Sequence, residues 1–247
     1  MLVLLRSALF MALFVSSTFL LILLLIVPVM LLPRRVVVPM LRLYAGFVLG
    51  LLRLTCGIRL RVTGREYLPT GGAALLAAKH QSAFDTLVWL YLLPDACYVL
   101  KQELVKVPLW GALARKSKMI AVDRQAGGRA LRQMLGEAKA AAAEGRQVVI
   151  FPEGTRVKPG DRVPYQPGVV GLAGTLKLPV IPVATNSGLF WPRNRFAKPP
   201  GTIIVALLPP VPAGLPREQL IPALEAVIEA ETDRLCGVHN PVDKLVD

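Results

Sequence analysis

The segment Lys79-His80-Gln81-Ser82-Ala83-Phe84-Asp85 lies between two apolar runs, residues 73–78 and residues 86–93. The first run is short and bounded by a pair of glycines, which is typical of a buried strand, whereas the second covers more than two helical turns and predicts a helix. We therefore expect His80 on a strand-to-helix loop and Asp85 in the first turn of the helix. Loops of this kind lie at the edge of the sheet where α/β proteins build their sites.

The pair formed by His80 and Asp85 has a definite chemical use. A neutral imidazole takes a proton from a hydroxyl, and a carboxylate on its other nitrogen fixes the tautomer and stabilises the imidazolium that forms. The hydroxyl can belong to a protein side chain or to a substrate. A structural interpretation stands beside this one, because Ser82 followed three residues later by Asp85 resembles a capping box at the start of a helix.

Strand-like and helix-like patterns alternate along the rest of the chain. Strands are predicted at residues 58–62, 73–78, 96–100, 119–122, 147–151, 180–184 and 202–208, and helices at residues 86–93, 129–144, 169–176 and 216–236. Alternation of this kind predicts an α/β fold with a mixed, mostly parallel sheet of about seven strands flanked by helices.

A second polar cluster, Glu153-Gly154-Thr155-Arg156, follows the predicted strand at residues 147–151. It offers a carboxylate, a glycine that lets a ligand approach the backbone, a hydroxyl and a guanidinium that can bind a phosphate through two parallel hydrogen bonds. A tight turn with solvated charges is the alternative.

Two more cations follow predicted strands, Lys101 and Arg124. A lone lysine at a strand end is more often a solvated side chain at the edge of a sheet than a ligand-binding residue. For Arg124, an ion pair with Asp123, or a cap formed by Asp123 on the next element, is a slightly better explanation than ligand binding.

Charge and composition indicate the type of partner. The chain has 247 residues, a formal net charge of +13 and 54% hydrophobic residues, and its sequence pI of about 10.2 indicates an anionic partner. The positive mean hydropathy of +0.53 favours a phospholipid surface over nucleic acid. The sequence contains no RRM-type aromatic signature, zinc-finger spacing or basic helix, so no nucleic-acid partner is predicted. Three cysteines without metal-ligand spacing and two histidines predict a reducing compartment and no metal site.

The N-terminal region is apolar. No charged residue occurs in residues 7–33, which exceeds the roughly 20 residues that cross a bilayer, and a second apolar run follows at residues 36–54. A cleaved signal peptide fits poorly, because the apolar run is too long and no small-residue cleavage site follows it. Pro28, Pro33 and Pro39 interrupt the helical pattern and predict two helices joined by a Pro-Arg-Arg turn. The pattern leaves open whether they span the bilayer or enter one leaflet.

Eight arginines precede the first acidic residue, Glu66. Such a distribution favours anionic lipid head groups and a cytoplasmic face. The sequence therefore predicts a hydrophobic helical membrane anchor at residues 1–54, followed by an α/β domain at residues 55–247.

Taken together, the motifs resemble the 1-acyl-sn-glycerol-3-phosphate acyltransferase (lysophosphatidic acid acyltransferase) family. Four blocks occur in the family's order over residues 59–211, and hydrophobic N-terminal helices are familiar from bacterial members. The blocks are the His-x4-Asp motif at residues 80–85, Lys101-Gln102-Glu103-Leu104 with Pro108, Gly111 and residues 120–124, Phe-Pro-Glu-Gly-Thr-Arg at residues 151–156, and Leu-Pro-Val-Ile-Pro-Val at residues 178–183. Two departures occur: Lys79 stands where members often have Asn, and Lys116-Ser117-Lys118 lies where a glycine is common.

The resemblance implies an acyltransferase domain on the cytoplasmic face of a membrane, in a bacterium the inner membrane. It would move a fatty acyl group from acyl-CoA or acyl-carrier protein to the sn-2 hydroxyl of 1-acylglycerol 3-phosphate, giving phosphatidic acid, without a metal or other cofactor. In that scheme His80 is the general base and Asp85 orients it. The implied substrate-binding residues are Lys101, Arg124 and Arg156 for the phosphate, and Glu153, Gly154 and Thr155 for the glycerol pocket.

Other acceptors remain open at this point, because the same base would serve glycerol 3-phosphate, a lyso-ornithine lipid or another lysolipid. A membrane-anchored protein that binds anionic lipids without turnover is the non-enzymatic alternative.

Overall fold

The computed structural model describes residues 1–107, 110–123 and 126–238, with the backbone alone for residues 25–30. In this part of the chain seven strands form one sheet in the order β1-β7-β6-β2-β5-β3-β4. The strands are β1 Ile58–Thr63, β2 Ala74–Ala78, β3 Ala96–Lys101, β4 Ile120–Val122, β5 Gln147–Ile150, β6 Val180–Thr185 and β7 Gly201–Leu207. The α/β fold predicted from the sequence is confirmed, with every predicted strand present.

Strand direction divides the sheet in two. Strands β6, β2, β5, β3 and β4 run parallel to one another, while β7 is antiparallel to β6 and β1 is parallel to β7. The sheet is thus mixed and mostly parallel. The carboxyl ends of its five parallel strands lie along one edge, so the loops that follow β2 and β5 are neighbours.

Helices cover both faces of the sheet. They are α1 Leu2–Leu31, α2 Arg34–Cys56, α3 Phe84–Leu92, α4 Gln102–Val105, α5 Trp110–Lys116, α6 Gly127–Ala143, α7 Gly168–Leu176, α8 Ser187–Phe190 and α9 Arg217–Cys236. Alternate residues of a strand point to opposite faces. Leu75 and Ala77 of β2 accordingly join the core under α6, α7 and α9, whereas Leu76 and Ala78 join the core under α2 and α3.

The two apolar helices α1 and α2 are separated at Pro33, as the sequence predicts, but the arginines of the predicted Pro-Arg-Arg turn lie in the first turn of α2. The predicted interruptions at Pro28 and Pro39 are wrong, because α1 continues to Leu31 and Pro39 lies inside α2. Pro39 is the sixth residue of α2, so the one helical hydrogen bond that it cannot donate is the bond to the carbonyl of Arg35 in the first turn. Each helix contains a stretch long and apolar enough, by length and composition, to cross a membrane.

The helix α2 is also part of the core of the α/β domain. Its residues Val48, Leu52 and Cys56 are buried in the same cluster as Leu76 of β2. From α1, Phe10 is buried against Trp191, with ring centroids 5.0 Å apart and an interplanar angle of 87°. The position after residue 54, where the sequence suggested a boundary, therefore falls within a helix that the domain uses for its own packing.

Substitutions in α2 test this packing. We expect Leu52→Ala to lower the free energy of unfolding by about 2–5 kcal/mol, because Leu52 is fully buried and its removal leaves a cavity. Leu54, two residues away and 85% exposed, is the matched control, and Leu54→Ala should be nearly neutral. The measurement is chemical denaturation in detergent. Equal stability of the two variants would show that α2 does not belong to the folded core.

Candidate active site

The loop after β2 and the loop after β5 form the centre of the site. Ala77 of β2 pairs with Ile150 of β5, so the residues that follow them lie at the same level of the sheet. Two hydrogen bonds join the loops at His80: its N–H donates to Glu153 Oε2 at 2.8 Å, and its carbonyl accepts from the N–H of Val157 at 2.8 Å. The backbone of His80 is thereby fixed on both sides.

Asp85 organises the turn that carries the histidine. Its Oδ2 atom lies 3.1 Å from His80 Nδ1 and also accepts the backbone N–H groups of Gln81 and Ser82 at 2.7 and 2.8 Å. A structural role and an acid–base role of Asp85 are therefore compatible, because one buried oxygen makes both sets of contacts. Only half of the capping box is formed, since Ser82 Oγ accepts the N–H of Phe84 and not that of Asp85. Helix α3 begins two residues before the predicted start, which places Asp85 in its first turn as expected.

The imidazole of His80 is fixed in position but remains partly accessible to solvent. Its ring stacks on Phe151 with centroids 4.1 Å apart, and its side chain keeps 13% of its surface exposed. A carboxylate only accepts hydrogen bonds, so in the neutral imidazole Nδ1 carries the proton toward Asp85 and the lone pair lies on Nε2. No described residue makes a hydrogen bond to Nε2. This nitrogen can therefore accept a proton from an incoming hydroxyl.

Glu153 lies beneath the loop. Its carboxylate is fully buried, with Oε1 2.6 Å from Lys79 Nζ and Oε2 on the backbone of His80. Burial raises the pKa of Glu153, while Lys79 and the N–H of His80 act in the opposite direction. This carboxylate thus contacts the loop that carries His80. Glu153 can therefore shape a glycerol pocket only indirectly, by fixing the conformation of that loop.

The residues that follow Glu153 reach the surface. Gly154 has φ of 67°, a conformation that L side chains rarely adopt, and closes a turn by donating its N–H to the carbonyl of Phe151 at 2.9 Å. Thr155 and Arg156 are exposed. Arg156 makes no ion pair with any described residue, so its guanidinium is available one residue before Val157, which bonds to His80.

Lys101 ends β3 on the same edge of the sheet. The pairing of Tyr98 with Val149, and of Val149 with Leu76, places Lys101 level with Lys79 but two strands away, a separation of about 10 Å. Its side chain is 52% exposed and lies 2.9 Å from Glu103. Lys101 is therefore a neighbour of the histidine loop and not a contact of it. Arg124 lies outside the described residues.

Sequence reasoning missed the part of the site formed by Lys79. Its ammonium is buried between Glu153 and Glu229 of α9, and Glu229 in turn accepts the phenol O–H of Tyr165 at 2.8 Å. The available signal was the position of Lys79 directly before the histidine, where the resembling family often has Asn. Nothing in the sequence identified Glu229 as its partner.

Comparisons with known proteins agree with these motifs. The model of the Acyltransferase family matches residues 59–186. A protein named 1-acyl-sn-glycerol-3-phosphate acyltransferase from Pseudomonas aeruginosa is 35% identical over 190 residues, which are 77% of this chain and 74% of that protein. The mouse 1-acyl-sn-glycerol-3-phosphate acyltransferase alpha is 32% identical over 158 residues, 63% of this chain and 55% of its own length.

A solved structure shares the fold. The crystal structure of the 1-acyl-sn-glycerophosphate acyltransferase PlsC from Thermotoga maritima superposes with a TM-score of 0.75 and covers 94% of this chain and 95% of that one. The sequences are 22% identical. The likeness extends over almost the whole length of both chains.

Proposed function

Because the chain belongs to the 1-acyl-sn-glycerol-3-phosphate acyltransferase family, we propose that it transfers an acyl group from a thioester to the sn-2 hydroxyl of 1-acylglycerol 3-phosphate. The product is phosphatidic acid. The observation that carries this proposal is the His80 ring, whose Nδ1 is held 3.1 Å from Asp85 while Nε2 faces no described partner.

In the proposed reaction Nε2 of His80 removes the proton of the sn-2 hydroxyl as that oxygen attacks the thioester carbonyl. The buried Asp85 stabilises the imidazolium that forms. When the tetrahedral intermediate breaks down, the carbon–sulfur bond is cleaved and the thiolate leaves. The imidazolium then returns the proton to the sulfur. No enzyme nucleophile is required, because the acceptor supplies the attacking oxygen.

Arg156 is proposed to bind the phosphate of the acceptor. It is exposed, follows a turn that bonds to the histidine loop, and has no ion-pair partner in the described part of the chain. Its planar guanidinium can form two parallel hydrogen bonds to a phosphate. Lys101 at the same sheet edge would add positive charge, although its pairing with Glu103 reduces that contribution. Arg124 remains a sequence-based candidate for the same phosphate.

The helices α1 and α2 are proposed to hold the site at a bilayer, where a lysolipid acceptor resides. From residue 8 to residue 24 the exposed surface of α1 is uncharged and almost entirely apolar, including Leu13, Leu20 and Leu24. The net charge of +13 would add attraction to anionic head groups, and the donor, acyl-CoA or acyl-carrier protein, would arrive from the cytoplasm. Supplying both donors to membranes that contain the protein distinguishes them.

Removal of the imidazole tests the proposed base. We expect His80→Ala to lower kcat by roughly 10²–10⁴-fold, the range for a general acid–base group, in an assay of thiol release with 1-acylglycerol 3-phosphate as acceptor. His239→Ala removes the second histidine of the chain and is the control. Near-normal turnover of the folded His80 variant would refute the mechanism.

Removal of the guanidinium tests the phosphate assignment. We expect Arg156→Ala to raise KM for 1-acylglycerol 3-phosphate by roughly tenfold or more, with a smaller effect on kcat, because a contact present in both ground and transition states is lost. Lys158→Ala removes an exposed cation two residues away and should leave KM unchanged. An unaltered KM in the Arg156 variant would remove this residue from the phosphate site.

Charges on the exposed face of α1 test the membrane proposal. We expect Leu20→Lys combined with Leu24→Lys to reduce binding to anionic-lipid liposomes by more than about tenfold, because each lysine is costly to place in the apolar layer. Val227→Lys, at an exposed apolar position of α9, is the control. Undiminished flotation of the α1 variant with the liposomes would contradict membrane binding through this face.

A further inference from the structure

Three charged side chains from three separate elements meet in a buried cluster behind the histidine loop. Lys79 follows β2, Glu153 follows β5 and Glu229 lies in α9. The Lys79 ammonium is 2.6 Å from Glu153 Oε1 and 2.8 Å from both oxygens of Glu229. The side chains of Lys79 and Glu153 keep 1% and 0% of their surface. Burial of this depth demands that each charge be paired.

Further groups complete the pairing on the side of α9. Tyr165 donates its phenol hydrogen to Glu229 Oε1, and the partly exposed Arg162 donates to Glu229 Oε2 at 2.7 Å and to Asp233. Burial and the adjacent Glu229 raise the pKa of Tyr165 well above its usual range, so the phenol stays protonated and donates. A continuous series of ion pairs and hydrogen bonds therefore runs from the surface of α9 to the buried Lys79.

The cluster ends on the backbone of the proposed base. Glu153 binds Lys79 with one carboxylate oxygen and the N–H of His80 with the other. Since Glu153 and Glu229 both lie within 2.8 Å of one ammonium, their carboxylates are within roughly the 4–6 Å at which like charges repel strongly. Without Lys79, Glu229 keeps its ion pair with Arg162, whereas the buried Glu153 keeps no described cation. Glu153 must then take up a proton or move away, and either change alters the acceptor of the His80 N–H.

We propose that Lys79 and Glu229 are positioning residues, which set the location of the His80 ring through Glu153 and so make α9 part of the catalytic machinery. This inference rests on the proposed function for its effect on turnover, but its effect on the ring is independent of any substrate. A purely structural ion pair would stabilise the fold without moving the ring.

The test removes the charges singly and together. Lys79→Met leaves two facing carboxylates, and we expect kcat to fall by up to about 100-fold with KM for donor and acceptor nearly unchanged, as for a displaced catalytic group. In Lys79→Met combined with Glu229→Gln the repulsion is absent and the new amide can donate to Glu153. We expect this double variant to recover to within roughly tenfold of the wild-type kcat, since residues in one network are not additive.

A second readout follows the ring itself. The chain contains two histidines, so His80 is the sole histidine in a His239→Ala background, and its ¹³C-labelled ring signals can be followed by NMR in detergent. We expect Lys79→Met to shift these signals and the double variant to return them toward the wild-type position. Arg234→Gln breaks a surface ion pair with Glu231 on the same helix and should change neither readout.

The outcomes separate the two proposals. Ring signals that stay in place in Lys79→Met overturn the positioning role, whatever happens to activity. If the parent chain shows no transfer from either thioester donor while the ring signals shift and return as described, the proposed function fails and the positioning role stands.

If Lys79→Met does not fold, Glu229→Gln is examined alone. It retains the pair of Lys79 with Glu153, should shift the ring by a smaller amount, and overturns the proposal if it does not.

Discussion

One carboxylate oxygen, Oδ2 of Asp85, fixes the conformation on which the candidate site depends. It accepts hydrogen bonds from two consecutive backbone N–H groups and contacts the imidazole of His80. Hydrogen bonds to an ionised acceptor are about twice as strong as neutral ones, so this atom holds both the turn and the ring. The atom that fixes the turn before α3 also selects the tautomer of His80, so the local fold and the proposed chemistry depend on the same group.

The sheet supplies the second half of the site. His80 and Glu153 are 73 residues apart in sequence, and they are hydrogen-bonded because β2 and β5 are adjacent parallel strands whose carboxyl ends share an edge. This arrangement places a polar loop from each strand at the same level. Arg156 belongs to the second loop, so strand pairing alone brings the proposed phosphate-binding residue to the same edge of the sheet as the proposed base.

The sequence predicted the strands well because the central strands are buried on both faces and form continuous apolar runs between turn residues. It also placed His80 and Asp85 correctly, since both lie within one local turn. It did not predict α4, α5 or α8, because helices of four to seven residues contain too few turns to show a period. The partner of Lys79 was beyond prediction as well: Glu229 is 150 residues away and reaches the site only through the docking of α9.

The burial of Phe10 against Trp191 has a consequence for synthesis of the chain. The two rings are about 180 residues apart, and at a translation rate of about 5–20 residues per second the first waits roughly 10 to 40 s for the second. During that interval the apolar α1 has already left the ribosome while the surface that will cover Phe10 does not yet exist. The nascent chain therefore exposes the apolar helix α1 to a membrane or a targeting factor well before the α/β domain can fold against it.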